Sequence, residues 1–266
     1  MKVVIFCGGL GVRMGEATQR IPKPMIPIGT QPILWHLMKW YASWGHREFI
    51  LCLGYRAESV KKYFLSYEEA LANDFVLADG GREVRVLSSD ISDWRITFVD
   101  TGVRAEIGQR LKAVEPYLEG DATFLATYGD ALTDAPLDEM IALHERSGKT
   151  ALLMSVRPRL DYHLLRSDSS TGLVLAVQRL AEADVRINGG FFVFRREIFD
   201  VIGPGEDLVE EPFARLIERG DLLAYPYDGF WEPMDTIKDK QKLDAIYEAG
   251  QAPWLLGPSR GKACLE

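Results

Sequence analysis

The feature that most restricts the fold is the alternation of short apolar runs with helix-forming segments along the first 156 residues. Each apolar run is long enough for one buried strand: KVVIFC (2–7), REFILCLG (47–54), RITFVD (95–100), ATFLATYGD (122–130) and TALLMSV (150–156). Apolar residues recur at helical spacing between these runs, which predicts helices over 32–45, 57–64, 106–117 and 136–147. Strands joined through helices imply right-handed crossovers, so we predict an α/β fold with a Rossmann-like, mainly parallel sheet flanked by helices.

The second half of the chain is richer in strands and turns. Residues 162–180 read as a hairpin around a turn of Ser, Thr and Gly, and 187–199 as a strand that leads into a helix. A helix, a turn and a strand fit 213–231, and a last helix fits 236–250. No linker-like composition or repeat divides the sequence, so we predict one domain with a β-rich second half and a polar C-terminal tail.

Charge, cysteine content and hydropathy exclude several classes of protein. Lys and Arg number 31 and Asp and Glu 39, a net charge of −8 that argues against a nucleic-acid-binding protein. The three cysteines form no CxxC pair, so neither a zinc site nor a redox motif is indicated. No apolar run reaches the roughly 18 residues of a membrane helix, and glycines rather than a cleavage site follow MKVVIFC. We therefore expect a cytoplasmic protein without a membrane partner.

A glycine-rich loop follows the first predicted strand, at the sheet edge where open α/β folds bind ligands. Gly8, Gly9 and Gly11 would let backbone N–H groups approach a phosphate closely. The loop matches neither GxGxxG nor the P-loop pattern, because Met14 stands where each pattern requires a glycine. A tight turn at the end of a strand explains the glycines equally well, and a dinucleotide-dependent dehydrogenase is poorly supported.

Two cations favour a phosphate-binding role for this part of the chain. Arg13 lies just beyond the glycines, and Lys23 stands between Pro22 and Pro24. Proline fixes its own φ and restricts the residue before it, so the backbone around Lys23 is preorganised and loses little entropy when the ammonium binds a ligand. Taken alone, Lys23 would be read as a solvated surface lysine.

The segment GGLGVRMGEATQRIPKPMIPIG resembles the nucleotide-binding segment of the sugar-1-phosphate nucleotidyltransferases. Seven further segments follow in the family's order and are most similar to the glucose-1-phosphate cytidylyltransferases: PILWHLMKWY, LGYRAESVKKYF, FVDTG, GQRLKAV, TYGDALTD, INGGFFVF and GFWEPMDTIKDKQKLDAIYEAGQAPW. The resemblance implies a single nucleotidyltransferase domain over 1–254, with a nucleotide-binding part in about 1–130 and an acceptor-binding part in about 131–254. It leaves 255–266 as a tail and implies a homo-oligomer.

The reaction that this resemblance implies transfers CMP from CTP to a sugar 1-phosphate and releases pyrophosphate, with Mg²⁺ as cofactor. The acceptor is a phosphate monoester, whose second pKa of about 6 leaves it mostly ionised at neutral pH, so no general base is required. The reaction requires charge neutralisation and in-line alignment on the α-phosphorus instead. The sequence accordingly offers no evident Ser/His/Asp or Cys/His set.

The resemblance also assigns roles to individual residues. Asp130 and Asp235 would bind Mg²⁺, Arg13 would contact the β- and γ-phosphates, and Lys23 would contact the α-phosphate and the acceptor phosphate. The remaining residues of the nucleotide site would be Gly8, Gly9, Gly11, Val12 and Thr127. The acceptor site would include Arg110, Tyr128, Asn188 and Gly189.

Two departures from the family pattern fall in the acceptor site. Where family members carry Glu-Lys-Pro before the NGG segment, this chain has Gln178, Arg179 and Leu180. Arg179 keeps a cation, whereas Gln178 lacks the charge of the glutamate. Tyr162 or His163 stands where family members have a glycine that admits a sugar ring. The acceptor is then either a different phosphorylated small molecule or glucose 1-phosphate bound in a slightly different way, and the sequence leaves both open.

A non-catalytic, nucleotide-binding regulatory protein is the alternative from a different class. The residues whose loss would mark such a protein, Lys23, Asp130 and Asp235, are all present. The preference for CTP over UTP or dTTP rests on the resemblance alone, because the composition of the loops does not distinguish the bases.

Overall fold

The computed structural model describes residues 1–9, 21–159 and 162–257. Its strands are β1 (Lys2–Phe6), β2 (Pro27–Ile28), β3 (Gln31–Pro32), β4 (Glu48–Leu53), β5 (Phe75–Ala78), β6 (Glu83–Val86), β7 (Arg95–Asp100), β8 (Thr123–Tyr128), β9 (Ala131–Thr133), β10 (Ala151–Val156), β11 (His163–Ser167), β12 (Val174–Arg179), β13 (Ile187–Arg195), β14 (Leu222–Tyr227) and β15 (Trp231–Pro233). Its α-helices are α1 (Ile33–Ser43), α2 (Ala57–Leu65), α3 (Glu69–Ala72), α4 (Ile107–Ala113), α5 (Leu137–Ser147), α6 (Glu211–Glu218) and α7 (Ile237–Glu248).

Seven of the described strands form one sheet in the order β14-β10-β13-β8-β1-β4-β7. Neighbouring strands are parallel throughout, except that β13 runs antiparallel to both β10 and β8. Strands from the β-rich second half thus belong to the same sheet as the first strand. The predicted α/β fold with a mainly parallel sheet is confirmed.

Alternation of side chains along β1 divides the core into two layers, one on each face of the sheet. Val3 and Ile5 belong to a cluster that includes residues of α1, α2, α5 and α7, whereas Val4 and Phe6 belong to a second cluster that includes residues of α4 and α6. None of these four side chains is more than 6% exposed, so β1 is buried on both faces, as its unbroken apolar sequence predicts. Within the described ranges, no helix combines the length and the apolar character required to cross a membrane.

Several predicted elements are found with shifts that have local causes. The helix predicted over 106–117 ends at Ala113 and continues as a 3₁₀ turn (Glu115–Leu118), because Pro116 has no N–H to donate. The strand predicted over 187–199 is β13, but a 3₁₀ turn (Arg196–Val201) follows it in place of an α-helix. The hairpin predicted over 162–180 is confirmed as β11 and β12.

Helix α3 and the hairpin of β5 and β6 are not predicted from the sequence. All of their residues are exposed or half-buried, and each element has only four residues, so the apolar pattern is too short to separate a helix from a strand.

A buried histidine ties the segment after Lys23 to the C-terminal part of the chain. His36, on α1, has its Nε2 2.9 Å from the carbonyl oxygen of Ile28 and its Nδ1 3.2 Å from the indole Nε1 of Trp254. The indole N–H can only donate, so Nδ1 is the acceptor, Nε2 carries the proton, and the ring is neutral. Burial lowers the pKa of His36, and hydrogen bonding to Ile28 opposes this only in part.

We expect His36 to make the free energy of unfolding depend on pH. Its pKa in the folded chain lies below the ordinary value of 6.5, so the stability that the neutral ring contributes is present above that pH and is lost as the pH falls below it. In His36→Gln the free energy of unfolding should fall less steeply as the pH decreases through this range. The difference in slope should be up to about 1.4 kcal/mol per pH unit. Urea unfolding between about pH 7.5 and pH 5 measures the slope, with His163→Gln on exposed β11 as the matched control. Equal slopes for wild type and His36→Gln would contradict this account.

Candidate active site

The carboxyl ends of β1 and β8 border a cavity of about 730 Å³. Its lining is drawn from the loops after these strands, the loop after β7, the start of β13 and the end of β15: residues 6–9, 23, 24, 103–107, 110, 128–131, 187–189, 231, 233 and 235. Ligands of open α/β sheets bind at this edge, so the cavity is the candidate active site.

The ammonium of Lys23 contacts two carboxylates in the cavity lining. Its Nζ lies 2.6 Å from Oδ2 of Asp130 and 2.7 Å from Oδ1 of Asp235. Lys23 is only 9% exposed, whereas the side chains of Asp130 and Asp235 are 31% and 37% exposed and face the cavity. We call these three residues the lysine–aspartate cluster.

The local backbone explains why the two aspartates meet. Asp130 follows β8, and β9 and β15 then pair as an antiparallel ribbon. The N–H of Met234 donates to the carbonyl oxygen of Asp130 at 2.8 Å, which brings Asp235 alongside. Beyond Asp235, Thr236 and Asp239 form the capping box of α7, and the same Asp239 carboxylate accepts the N–H of Asp235 at 3.0 Å. The second aspartate is therefore fixed from both sides.

Lys23 reaches the aspartates from a short, stiff turn. The segment Lys23–Met25 forms one 3₁₀ turn, in which the N–H of Met25 donates to the carbonyl oxygen of Pro22 at 2.8 Å. Pro22 and Pro24 restrict the backbone as the sequence predicts, and Ile26 beyond them is buried. The lysine is thus held in place by its backbone as well as by its charge.

The electrostatics of the lysine–aspartate cluster keep Lys23 protonated. Burial alone would lower the pKa of Lys23, but the charges and hydrogen bonds of Asp130 and Asp235 outweigh burial, so its pKa lies above the ordinary value. Such a lysine is not a general base near neutral pH. It can neutralise negative charge on a ligand, and two carboxylates in this arrangement can share a divalent cation.

A buried arginine holds the loop after β1 in place. The guanidinium of Arg110 donates to the carbonyl oxygens of Gly8 at 3.1 Å, Gly102 at 2.8 Å and Leu53 at 3.4 Å. A Cβ on Gly8 would lie 1.9 Å from Nη1 of Arg110, so a larger residue there would displace the guanidinium from its present position. Arg110 therefore joins the ends of β1, β4 and β7 at the cavity.

The other side of the cavity is formed by β8 and β13. Asn188 and Gly189 lie near the start of β13 and line the cavity next to Tyr128. The Oδ1 atom of Asn188 accepts the N–H of Gly190 at 2.8 Å, which sets the orientation of the side-chain amide. Burial raises the pKa of Tyr128 to about 12, so its hydroxyl stays protonated and can donate a hydrogen bond.

The chain matches one protein family along most of its length: the profile described as Nucleotidyl transferase covers residues 2–249. The chain belongs to the nucleotidyl transferase family. The glucose-1-phosphate cytidylyltransferases of Salmonella typhi and Salmonella typhimurium are each 40% identical to it over 257 residues, which cover 96% of this chain and 98% of either relative. A solved structure of UDP-glucose pyrophosphorylase with UDP-glucose shares the fold, with a TM-score of 0.68 at 18% identity over 94% of this chain and 98% of that chain.

Two predicted site residues of this nucleotidyl transferase are engaged in contacts within the protein. Thr127 is fully buried in β8, beside Tyr41, and is not part of the cavity lining. Side chains alternate along a strand, so Thr127 faces the core here, and its contact with the nucleotide stays a prediction. Arg110 does lie at the cavity, but its guanidinium is engaged by backbone carbonyl groups, so its contribution to pyrophosphate or sugar binding stays a prediction.

The residues that depart from the family pattern lie apart from the cavity. Tyr162 precedes β11, His163 begins it, and Gln178 and Arg179 end β12, all outside the cavity lining. Their role in acceptor binding stays a prediction. Gly11, Val12 and Arg13 were also predicted for the nucleotide site, and they fall outside the described residues.

The loop after β7 is part of the cavity that the sequence reasoning does not identify. Residues 103–107 line the cavity, together with Trp231 and Pro233. A usable signal exists, because FVDTG ends a parallel strand and the residues after such a strand lie at the ligand-binding edge. Trp231 supports the opposite side, where its Nε1 donates to the carbonyl oxygen of Gly189 at 2.8 Å.

Replacing Arg110 by Met should lower the free energy of unfolding by about 2 kcal/mol or more, because several carbonyl oxygens would lose their donor. Urea unfolding measures the change. Arg85→Met on exposed β6 is the matched control, with an expected effect within about 0.5 kcal/mol. An unchanged unfolding midpoint for Arg110→Met would show that the guanidinium does not hold the strand ends together.

Proposed function

We propose that the protein transfers CMP from CTP to a sugar 1-phosphate, giving a CDP-sugar and pyrophosphate. The observation that carries the proposal is the lysine–aspartate cluster, which provides a fixed ammonium and two carboxylates between a glycine-bearing strand end and the Asn188–Gly189 side of one cavity. The names of the 40%-identical relatives support CTP and glucose 1-phosphate as the substrates to test first.

The donor set of the cluster fits Mg²⁺. Asp130 and Asp235 contact the same ammonium, so their oxygen atoms are also near enough to approach one small cation. Magnesium is typically held in proteins by one or two carboxylates, with phosphate oxygens and water completing the octahedron. The absence of a group of three or more His, Cys, Asp or Glu ligands among the described residues is consistent with that pattern. When bound, Mg²⁺ would neutralise phosphate charge and help to align the reacting groups.

The protein's own residues act by position and charge. A phosphate oxygen of the sugar 1-phosphate attacks the α-phosphorus of CTP, and the bond from that phosphorus to the oxygen shared with the β-phosphate breaks. The Lys23 ammonium, kept protonated by its aspartates, would stabilise negative charge on the α-phosphate as the new bond forms. The backbone at Gly8 and Gly9 would carry the triphosphate, and Asn188 and Gly189 would contact the sugar.

The identity of the acceptor is the open part of this function. Wild-type protein with CTP and Mg²⁺ is assayed for pyrophosphate release with glucose 1-phosphate, with other sugar 1-phosphates and with phosphorylated small molecules that are not sugars. We expect a sugar 1-phosphate to give the highest kcat/KM. A clear preference for a phosphorylated molecule that is not a sugar would identify that class as the acceptor. Binding of CTP without turnover on any acceptor would favour a regulatory protein.

Each member of the lysine–aspartate cluster should be required for turnover. We expect Lys23→Met, Asp130→Asn and Asp235→Asn each to lower kcat/KM by about 10²-fold or more, because each removes charge stabilisation or alignment of the reacting phosphates. Pyrophosphate release measures the rate, and circular dichroism checks that the variants fold. Lys62→Met, which changes an exposed lysine on α2, should retain wild-type turnover. A nearly normal rate for folded Asp130→Asn would remove the proposed ligand role.

We also propose that the protein is a homo-oligomer in which the β11–β12 hairpin packs against a second copy of the chain. Every residue of these two strands is exposed. Leu164, Leu165, Val174, Leu175 and Val177 are between 41% and 66% exposed. A two-stranded hairpin is marginally stable unless it buries apolar surface, and several exposed large apolar side chains on one hairpin are typical of an interface.

Charges on this hairpin should therefore reduce the oligomer to monomers. Leu165 and Val177 are partners across the two strands, so the double variant Leu165→Asp, Val177→Asp places two carboxylates at one point of the apolar surface. Sedimentation velocity should give a multiple of 29.9 kDa for the wild type and about that mass for the variant. Leu71→Asp on α3, where the leucine is 82% exposed, is the control and should keep the wild-type mass. A monomeric wild type, or a double variant with unchanged mass, would contradict the proposal.

A further inference from the structure

One side of the cavity carries a carboxylate that the reaction described above does not use. Glu106 lines the cavity between β7 and α4 and is exposed. It precedes α4 without capping that helix through its side chain. Within the described part of the chain, its carboxylate has neither a hydrogen-bond donor nor a cation in direct contact, although its charge acts on nearby Arg110. In a cavity proposed to bind a triphosphate and a second phosphate, a carboxylate without such a partner among the described residues adds repulsion unless it meets a donor on the ligand.

The position of Glu106 assigns it to the nucleotide end of the cavity. In the sheet, β13 lies on one side of β8, and β1, β4 and β7 lie on the other. Asn188 and Gly189 therefore border one end and the loop 103–107 borders the other, and Asp130 of the lysine–aspartate cluster follows β8 between them. Arg110 joins this loop to the glycine at the end of β1. With its phosphates at the glycine and the cluster, and the acceptor at Asn188 and Gly189, a nucleotide would have the 103–107 end of the cavity left for its base.

Apart from the exposed Arg104, which also lines the cavity, the other side chains of this loop suit the face of a base. Val103, Ala105 and Ile107 line the cavity beside Glu106, and Val103 is 46% exposed. Apolar side chains can pack on the flat face of a pyrimidine, whereas the carboxylate can only accept hydrogen bonds at its edge. Among pyrimidines, cytosine presents a 4-amino donor, and uracil and thymine present a carbonyl oxygen at the same position.

We propose that the carboxylate of Glu106 accepts a hydrogen bond from the 4-amino group of cytosine and thereby selects CTP over UTP and dTTP. This inference rests on the proposed function and deepens it, because it names the group that reads the base. A uracil or thymine in the same place would set its carbonyl oxygen against the carboxylate, with two acceptors and no proton between them. The loss of such a base-edge contact is typically worth about tenfold or more in discrimination.

The test pairs a change in the protein with a change in the nucleotide. Wild type, Glu106→Ala and Glu106→Gln are assayed with CTP, with UTP and with the triphosphate of the pyrimidin-2-one ribonucleoside, which lacks the 4-amino group. We expect wild type to prefer CTP over the pyrimidin-2-one analogue by about tenfold or more in kcat/KM, and Glu106→Ala to reduce this preference to about twofold. Glu106→Gln, whose amide can donate to a carbonyl oxygen, should raise kcat/KM for UTP relative to CTP.

The control is Glu83→Gln on β6, which changes an exposed carboxylate outside the cavity lining. Its relative kcat/KM values for CTP, UTP and the pyrimidin-2-one analogue should equal those of wild type. Thermal unfolding of the Glu106 variants should match wild type, because the side chain makes no capping hydrogen bond. Equal preference for CTP over the analogue in wild type and Glu106→Ala would overturn the proposal, and so would an unchanged UTP-to-CTP ratio in Glu106→Gln.

Failure of the proposed function would give a different result from failure of this inference. If wild type shows no turnover with CTP and any acceptor, the proposed function fails. Calorimetric titration of wild type and Glu106→Ala with the same three nucleotides then still reports on the base contact. A CTP preference in binding that disappears in Glu106→Ala would support the role of Glu106, and one that persists would overturn it.

Discussion

The contact of one ammonium with two carboxylates is the interaction on which the rest of the site depends. Lys23 meets Asp130 and Asp235 across 107 and 212 positions of sequence, so the cluster forms only when the turn at Lys23, the end of β8 and the β9–β15 ribbon are all in place. Two carboxylates that contact the same ammonium are close enough to repel each other unless a cation lies between them. The fold thus brings two negative charges together at one point of the sheet edge. The ammonium of Lys23, on a turn restricted by prolines, offsets their repulsion.

The topology of the sheet gives this charged point two different neighbours. The parallel strands β1, β4 and β7 lie on one side of β8. The guanidinium of Arg110 donates hydrogen bonds to carbonyl oxygens at the ends of these three strands. On the other side β13 runs in the opposite direction, so the start of that strand, with Asn188 and Gly189, lies at the same edge as the ends of the others. A single sheet edge therefore presents a nucleotide end and an acceptor end with the reacting groups between them.

The sequence predicts those parts of the site that follow from local pattern. The apolar run of β1, the glycine at its end and the prolines around Lys23 act on their own neighbourhood, and the structure has them in the expected places. The face on which Thr127 lies could not be predicted, because one residue along a strand changes the face and the packing of Tyr41 beside it depends on the tertiary fold. The partners of Arg110 and the cavity position of Glu106 depend on strand order, which no local pattern contains.

The most direct test of the lysine–aspartate cluster as a single cation-holding unit is calorimetric titration with Mg²⁺ in the absence of nucleotide. In wild type the ammonium competes with the metal for Asp130 and Asp235. Lys23→Met keeps both carboxylates and removes the competitor, so it should bind Mg²⁺ about tenfold or more tightly than wild type, and adding Asp130→Asn should abolish that gain. Equal Mg²⁺ affinity in wild type and Lys23→Met would contradict the account.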